Sequence, residues 1–90
     1  MEFEWDPDKA VQNLKKHRVA FDEAATVLGD RLSVTFSDPD HSIEEDRFIT
    51  IGTSDRGRVI IVSHADRENR IRIISARKAT RQERKTYAEG

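Results

Sequence analysis

Cysteine is absent from the 90 residues. That removes disulfides, thiolate nucleophiles and thiolate metal sites at once, and it fits a reducing, cytoplasmic setting. Proline occurs twice and glycine four times, and no linker, repeat or low-complexity tract is visible. No apolar run approaches the roughly 18–20 residues of a membrane span. The opening Met1-Glu2-Phe3-Glu4-Trp5 lacks the basic-then-apolar layout of a secretory signal, so no membrane partner is expected. Apolar residues make up 36% of the chain and charged residues 37%. One domain of this length, residues 1–90, buries only about 60–65% of its extended surface. Its core is thin, and a partner subunit is expected to complete part of the apolar surface.

Charge is abundant and unevenly distributed. Residues 1–55 hold 6 basic and 13 acidic side chains, a net of −7, whereas residues 56–90 hold 10 and 4, a net of +6. The total of −1 therefore hides a strong asymmetry, the pattern of a chain with an anion-binding part. The segment Arg70-Ile-Arg-Ile-Ile-Ser-Ala-Arg-Lys-Ala-Thr-Arg-Gln-Glu-Arg84 concentrates it. Ile71, Ile73 and Ile74 predict a buried strand, and Arg72, Arg77 and Lys78 fix guanidinium and ammonium groups beside it, as phosphate recognition requires. Solvated strand and helix charge is the plainer explanation of the same residues.

Local signals predict an α+β domain. Glu2–Trp5 alternates as a short strand. Asp6-Pro7 opens a helix, with Asp as cap and Pro where its missing N–H costs nothing. Ala10, Leu14 and His17 share its apolar face, with Lys9, Asn13 and Lys16 on a neighbouring polar stripe. Lys15, Lys16, His17 and Arg18 complement the dipole at its end, which by itself accounts for the cluster. A second helix, Phe21–Leu28, has the poor N-cap Ala20 and is expected to close with Gly29 in a left-handed cap. Strands follow at Arg31–Phe36, Arg47–Thr53, Arg58–His64 and Ile71–Ala76, separated by turn chemistry. Val59-Ile-Ile-Val62 does not alternate, as expected of a strand covered on both faces. Thr80-Arg-Gln-Glu83 is a capping box for a last helix running past Tyr87. Three short connections predict a four-stranded antiparallel meander, with the first two helices packed on one face.

At this point the residues resemble a family. Phe3-Glu-Trp-Asp-Pro-Asp-Lys9, Asn13-Leu-Lys-Lys-His17 and Val19-Ala-Phe-Asp-Glu-Ala24 look like the opening of BrnT-type toxins. Arg47-Phe-Ile-Thr-Ile-Gly52, the strand ending in His64, and Ile71-Arg-Ile-Ile-Ser-Ala-Arg-Lys-Ala-Thr80 with Glu83-Arg84 and Tyr87 resemble the second half. The resemblance covers nearly the whole chain in order. It implies a RelE-like fold and a ribonuclease that arrests translation. It also implies a BrnA-like antitoxin carrying a ribbon-helix-helix DNA-binding part, so that any operator contact is made only through the complex. Ala20 departs from the capping Ser or Asp usual at such a position.

Metal-free RNA cleavage needs a base for the 2′-hydroxyl, cations for the phosphorane charge and an acid for the leaving 5′-oxygen. His64 at a strand end and His17 at a helix end are the candidate acid and base; His41 lies in an acidic turn. A lone histidine is more often structural. Arg72 and Arg77 are the candidate phosphate clamps, although Arg77 can equally bridge to Glu83. Strand parity puts Arg72 and Arg77 on opposite faces unless a bulge intervenes near Ser75. Lys9, Lys16, Lys78 and Tyr87 are further candidates for RNA contact. Asp38, Asp40, His41, Glu44 and Glu45 have metal-ligand chemistry but match no ligand spacing, so no metal or other cofactor is expected. Two other functions fit the same cations: a non-enzymatic nucleic-acid-binding module, and a subunit that only meets an acidic antitoxin. A histidine within reach of the clamp favours the enzyme.

Overall fold

Phe3 and Ile71, far apart in sequence, sit side by side in a parallel strand pair that closes one edge of the sheet. The computed structural model describes residues 2–38 and 46–89. Its elements are β1 (Glu2–Glu4), α1 (Pro7–His17), α2 (Phe21–Val27), β2 (Val34–Ser37), β3 (Arg47–Thr53), β4 (Val59–Arg67), β5 (Arg70–Lys78) and α3 (Arg81–Glu89). The predicted α+β order holds. The sheet does not have the predicted four-stranded form: it has five strands in the order β1-β5-β4-β3-β2. β2 to β5 form the antiparallel meander, and β1 adds to β5 in parallel. A three-residue strand cannot stand alone. It pairs with the β5 edge, and the α1–α2 crossover then carries the chain to β2 at the opposite edge of the sheet.

α1 and α2 cover one face of this sheet. The core between them comprises Val19, Phe21, Ala24, Val27, Ile60, Val62, Ile73 and Ala76, with Trp5 packed edge-on against Phe21. Burial along β4 alternates: Ile60 and Val62 are fully buried and Ile61 is not. The expectation of a strand covered on both faces therefore fails: Val59, Ile61 and Ser63, on the second face, are only half-buried. We call the two sides the helix face and the open face.

The helix ends show how local sequence sets the packing. Asp6 caps α1 by accepting from the Asp8 N–H at 2.8 Å. Ala20 gives α2 no side-chain cap, as expected. Gly29 is not the left-handed cap. Leu28 ends α2 in right-handed geometry, while Arg18 takes the left-handed position after α1, with φ 60°. The Arg18 carbonyl accepts from Arg58 at 3.1 Å, and Arg58 also holds the buried Glu23 of α2. That hydrogen bond is the main reason the Glu23 carboxyl lies below its ordinary range. Gly52 is required by close approach: a Cβ there would lie 3.0 Å from the Ser33 Cβ and 3.2 Å from the Val27 Cγ1.

Asn13 is the main correction to the expected helix faces. It is buried, whereas Leu14, expected in the core, is 49% exposed. Beyond Arg72 the outer edge of β5 has no strand partner among the described residues. The Asn13 side chain takes that role, accepting from the Ala76 N–H at 3.1 Å and donating to the Ala76 carbonyl at 2.9 Å. Its second amide proton reaches the Val19 carbonyl, also at 2.9 Å. One amide thus ties α1, the α1–α2 junction and β5.

α3 is fastened differently, since none of its residues is buried. Thr80 and Glu83 form the predicted capping box. Glu83 also receives both guanidinium arms of Arg77, at 2.8 and 2.9 Å. Tyr87 donates to Asp30 at 2.6 Å and lies 3.2 Å from the Thr53 hydroxyl. The Arg77 hydrogen bonds hold the Glu83 carboxyl down at about 2.

Two stability predictions follow from these contacts. Asn13→Ala strands three backbone groups, and each unpaired group costs about 1–3 kcal/mol. Denaturant unfolding is expected to show a loss of about 3 kcal/mol or more, far above a surface substitution. The second concerns pH. Glu83 is depressed in the folded state, so its contribution is present above about pH 4.5 and is lost as pH falls toward about 2. The Tm difference between wild type and Glu83→Gln should therefore be constant above about pH 5 and shrink below about pH 4.5.

Candidate nucleic-acid interface

β5 contains one residue more than β4 requires. Ser63 pairs with Ser75 and His64 pairs with Ile73, leaving Ile74 as a bulge. The extra residue resolves the parity of the two arginines. Arg72 pairs with Ala65 and Arg77 with Ile61, two positions of matching parity on β4, so both arginines share the open face. About 13 Å separates them at the usual rise per residue. The row between them pairs Ser63 with Ser75, two small hydroxyl side chains.

The same register adds cations that the sequence reading had not singled out. Arg47 pairs with Ala65, and Ala65 with Arg72, so two arginines flank a buried alanine. Arg67 pairs with Arg70 on the same face. Glu2 lies at the β1 edge, 3.4 Å from the Arg70 guanidinium. The signal was present in the sequence as the Ile73-Ile74 doublet, which breaks the alternation of buried positions. Arg72 makes no ion pair among the described residues. Arg77 is held by Glu83, yet 43% of its side chain remains exposed.

The other candidates lie elsewhere. His64 shares the helix face with Val62 and is 3% exposed. Its Nδ1 meets Asp66 at 2.9 Å and its Nε2 meets the Thr50 hydroxyl at 2.8 Å. Thr50 in turn lies 2.7 Å from the Thr35 hydroxyl, and Phe48 stacks on the ring. His17 lines a groove of about 160 Å³ with Lys9, Gln12, Asn13, Lys16 and Ile74. Lys9, Lys16 and His17 are therefore brought together, but on the α1 side of β5. Lys78 pairs with Ile60 and falls on the side opposite Arg77. Tyr87 is held by Asp30, which raises its pKa and keeps it a donor. His41, Asp40, Glu44 and Glu45 lie outside the described residues. Among the described residues, no three His, Asp or Glu side chains form a metal-binding group.

The open face thus offers several guanidinium groups around a floor of small side chains. Such a surface holds phosphates and stabilises charge that develops on them. The 1.1 Å crystal structure of the Brucella abortus ribonuclease toxin BrnT is similar to this chain, with a TM-score of 0.69. It is 24% identical over 90% of this chain and 99% of its own, a likeness of fold. No curated protein matches. Residues 5–83 match the family described as "Ribonuclease toxin, BrnT, of type II toxin-antitoxin system". The chain belongs to the BrnT family of ribonuclease toxins of type II toxin–antitoxin systems.

Proposed function

We propose that the chain is a cytoplasmic, metal-independent endoribonuclease whose RNA lies on the open face and whose activity arrests translation. A BrnA-like antitoxin with a ribbon-helix-helix part silences it, and any operator DNA is contacted only through that complex. The observation that carries this reading is the Ile74 bulge, which turns Arg72 and Arg77 to the same side of the sheet. Arg72 binds backbone phosphate. Arg77 neutralises the charge of the phosphorane, so guanidinium groups supply the positive charge that a metal would otherwise bring. Ser63 and Ser75 leave room for the sugar-phosphate chain between them.

Proton transfer is assigned to His17. It lies with Lys9 and Lys16 in the groove on the α1 side of β5 beside Ile74, so this role requires the RNA to pass from the open face over the β5 edge next to the bulge. His64 has a different role. Its burial and its two engaged nitrogens keep it from the substrate, and it positions Thr50 and Thr35.

Purified protein with short RNA tests this reading. Arg72→Ala and Arg77→Ala are each expected to lower the cleavage rate about 10²–10³-fold, the usual loss for a group facing developing charge. Arg72→Ala should melt like wild type. Arg77→Ala loses its bridge as well, so Glu83→Gln is the control: it loosens α3 but keeps the arginine. Cleavage retained in Glu83→Gln and lost in Arg77→Ala identifies a clamp. Equal losses in both would make Arg77 structural. Cleavage should persist in EDTA; abolition there, with rescue by Mg²⁺ or Mn²⁺, overturns metal independence. Binding without cleavage under all conditions would leave a non-enzymatic module.

A further inference from the structure

The open face carries a second feature that RNA binding does not use. Leu32, Val34 and Phe36 are 77%, 38% and 51% exposed, a cost for a chain whose core is small. Val34 pairs with Ile51 and Phe36 with Ile49, so both lie on the open face, at the far side from the arginines. Leu32 lies in the turn just before β2, the most exposed of the three. The row that starts at Phe36 continues through Ile49 and Ser63 to Ser75, between the positions of Arg72 and Arg77. An apolar end and a cationic end therefore share one face of the sheet.

We propose that this face is the docking surface for the antitoxin, and that it takes an acidic amphipathic segment laid across the strands. Apolar residues of that segment seat on Leu32, Val34 and Phe36, and its carboxylates reach Arg72. The proposal rests on membership of a toxin–antitoxin family and on the open-face arginines, not on any assigned catalytic role. Charge complementarity selects the occupant. The cations run from Arg47 on β3 across Arg67 on β4 to Arg70, Arg72 and Arg77 on β5, whereas Asp38 and Asp46 flank the β2–β3 connection. Acidic residues of the partner must therefore point toward β5, with the apolar ones over β2. The size also fits. β2 to β5 is three strand spacings, about 14 Å, and roughly ten residues of helix span about 15 Å. A second copy of this chain would set two cationic open faces together, and Phe36 is the patch's aromatic ring on which a base could stack, so RNA on the patch is an outcome of the test. A segment in this position excludes RNA from the face by occupying it.

The test uses full-length toxin and its cognate antitoxin. Leu32→Asp and Phe36→Asp place carboxylates on exposed positions, and each should weaken the complex at least about 30-fold, as loss of an interface anchor does. Both variants should still cleave RNA, at unchanged KM, and escape inhibition. Arg72→Ala should slow association and flatten its salt dependence. In the wild-type complex, hydrogen exchange should slow over residues 32–37 and 47–51. Wild-type affinity in both Asp variants, with those segments unprotected, overturns the proposal. A raised KM for RNA in Phe36→Asp would assign the patch to RNA instead. A toxin-only dimer that Phe36→Asp dissociates would assign it to a second copy. If RNA cleavage is absent from every form, the affinity and exchange results still decide the docking surface.

Discussion

One extra residue in β5 decides what this molecule can do. Without Ile74 as a bulge, a strand that buries Ile71 and Ile73 would turn Ala76 outward and set Arg77 against the helices. With it, the buried set continues as Ile71, Ile73 and Ala76, and the arginines on either side of the bulge face the same way. A buried guanidinium is expensive unless paired, so the core itself enforces this register. The bulge thus serves packing and charge placement together. Asn13 then holds the strand just past it. The amide supplies, for one residue of β5, the hydrogen bonds that a sixth strand would have made.

This dependence explains which parts were legible from the sequence. Elements with strong local signals appear where expected: Asp6-Pro7 starts a helix, Arg47–Thr53 is a strand, and Thr80 with Glu83 caps α3. Quantities set by pairing were not legible. β1 has only three residues, and nothing local announces that it joins β5 in parallel. Asn13 looks like one more polar residue on a helix until the open edge of β5 is known. Gly29 looks like a cap, but α2 is followed by tight turns to Asp30, and the left-handed residue is Arg18, stabilised by the Arg58 contact to its carbonyl. The Ile73-Ile74 doublet marked the bulge, yet period-two counting across it gives the wrong face for one arginine.

The charge asymmetry of the chain takes on a spatial meaning in the fold. The basic half supplies β4, β5 and α3, and the acidic half supplies both helices of the helix face. Alternation along the strands then sorts the basic half again, with Ile60, Val62, Ile73 and Ala76 toward the helices and arginines away from them. The near-neutral total conceals a molecule with a cationic open face and a smaller basic groove on the α1 side of β5. Helix α3 is fastened at one end of the open face by hydrogen bonds from Arg77 to Glu83 and from Tyr87 to Asp30. A helix with no buried residue is an element of low local stability, and this one holds the Arg77 guanidinium.

The position of His64 constrains the chemistry further. Its ring joins Asp66 to Thr50 and, through Thr50, to Thr35, an arrangement that on a substrate-facing surface would suggest a relay. Here the ring is buried beneath Phe48 on the side away from Arg72 and Arg77. A buried imidazole with partners at both nitrogens is a satisfied polar group of the core. It pins β3 to β4 and extends the pairing to β2, the strand that carries Val34 and Phe36. Its effect on function therefore runs through geometry. By fixing β2 on the sheet, it keeps the apolar end of the open face in register with the arginine end.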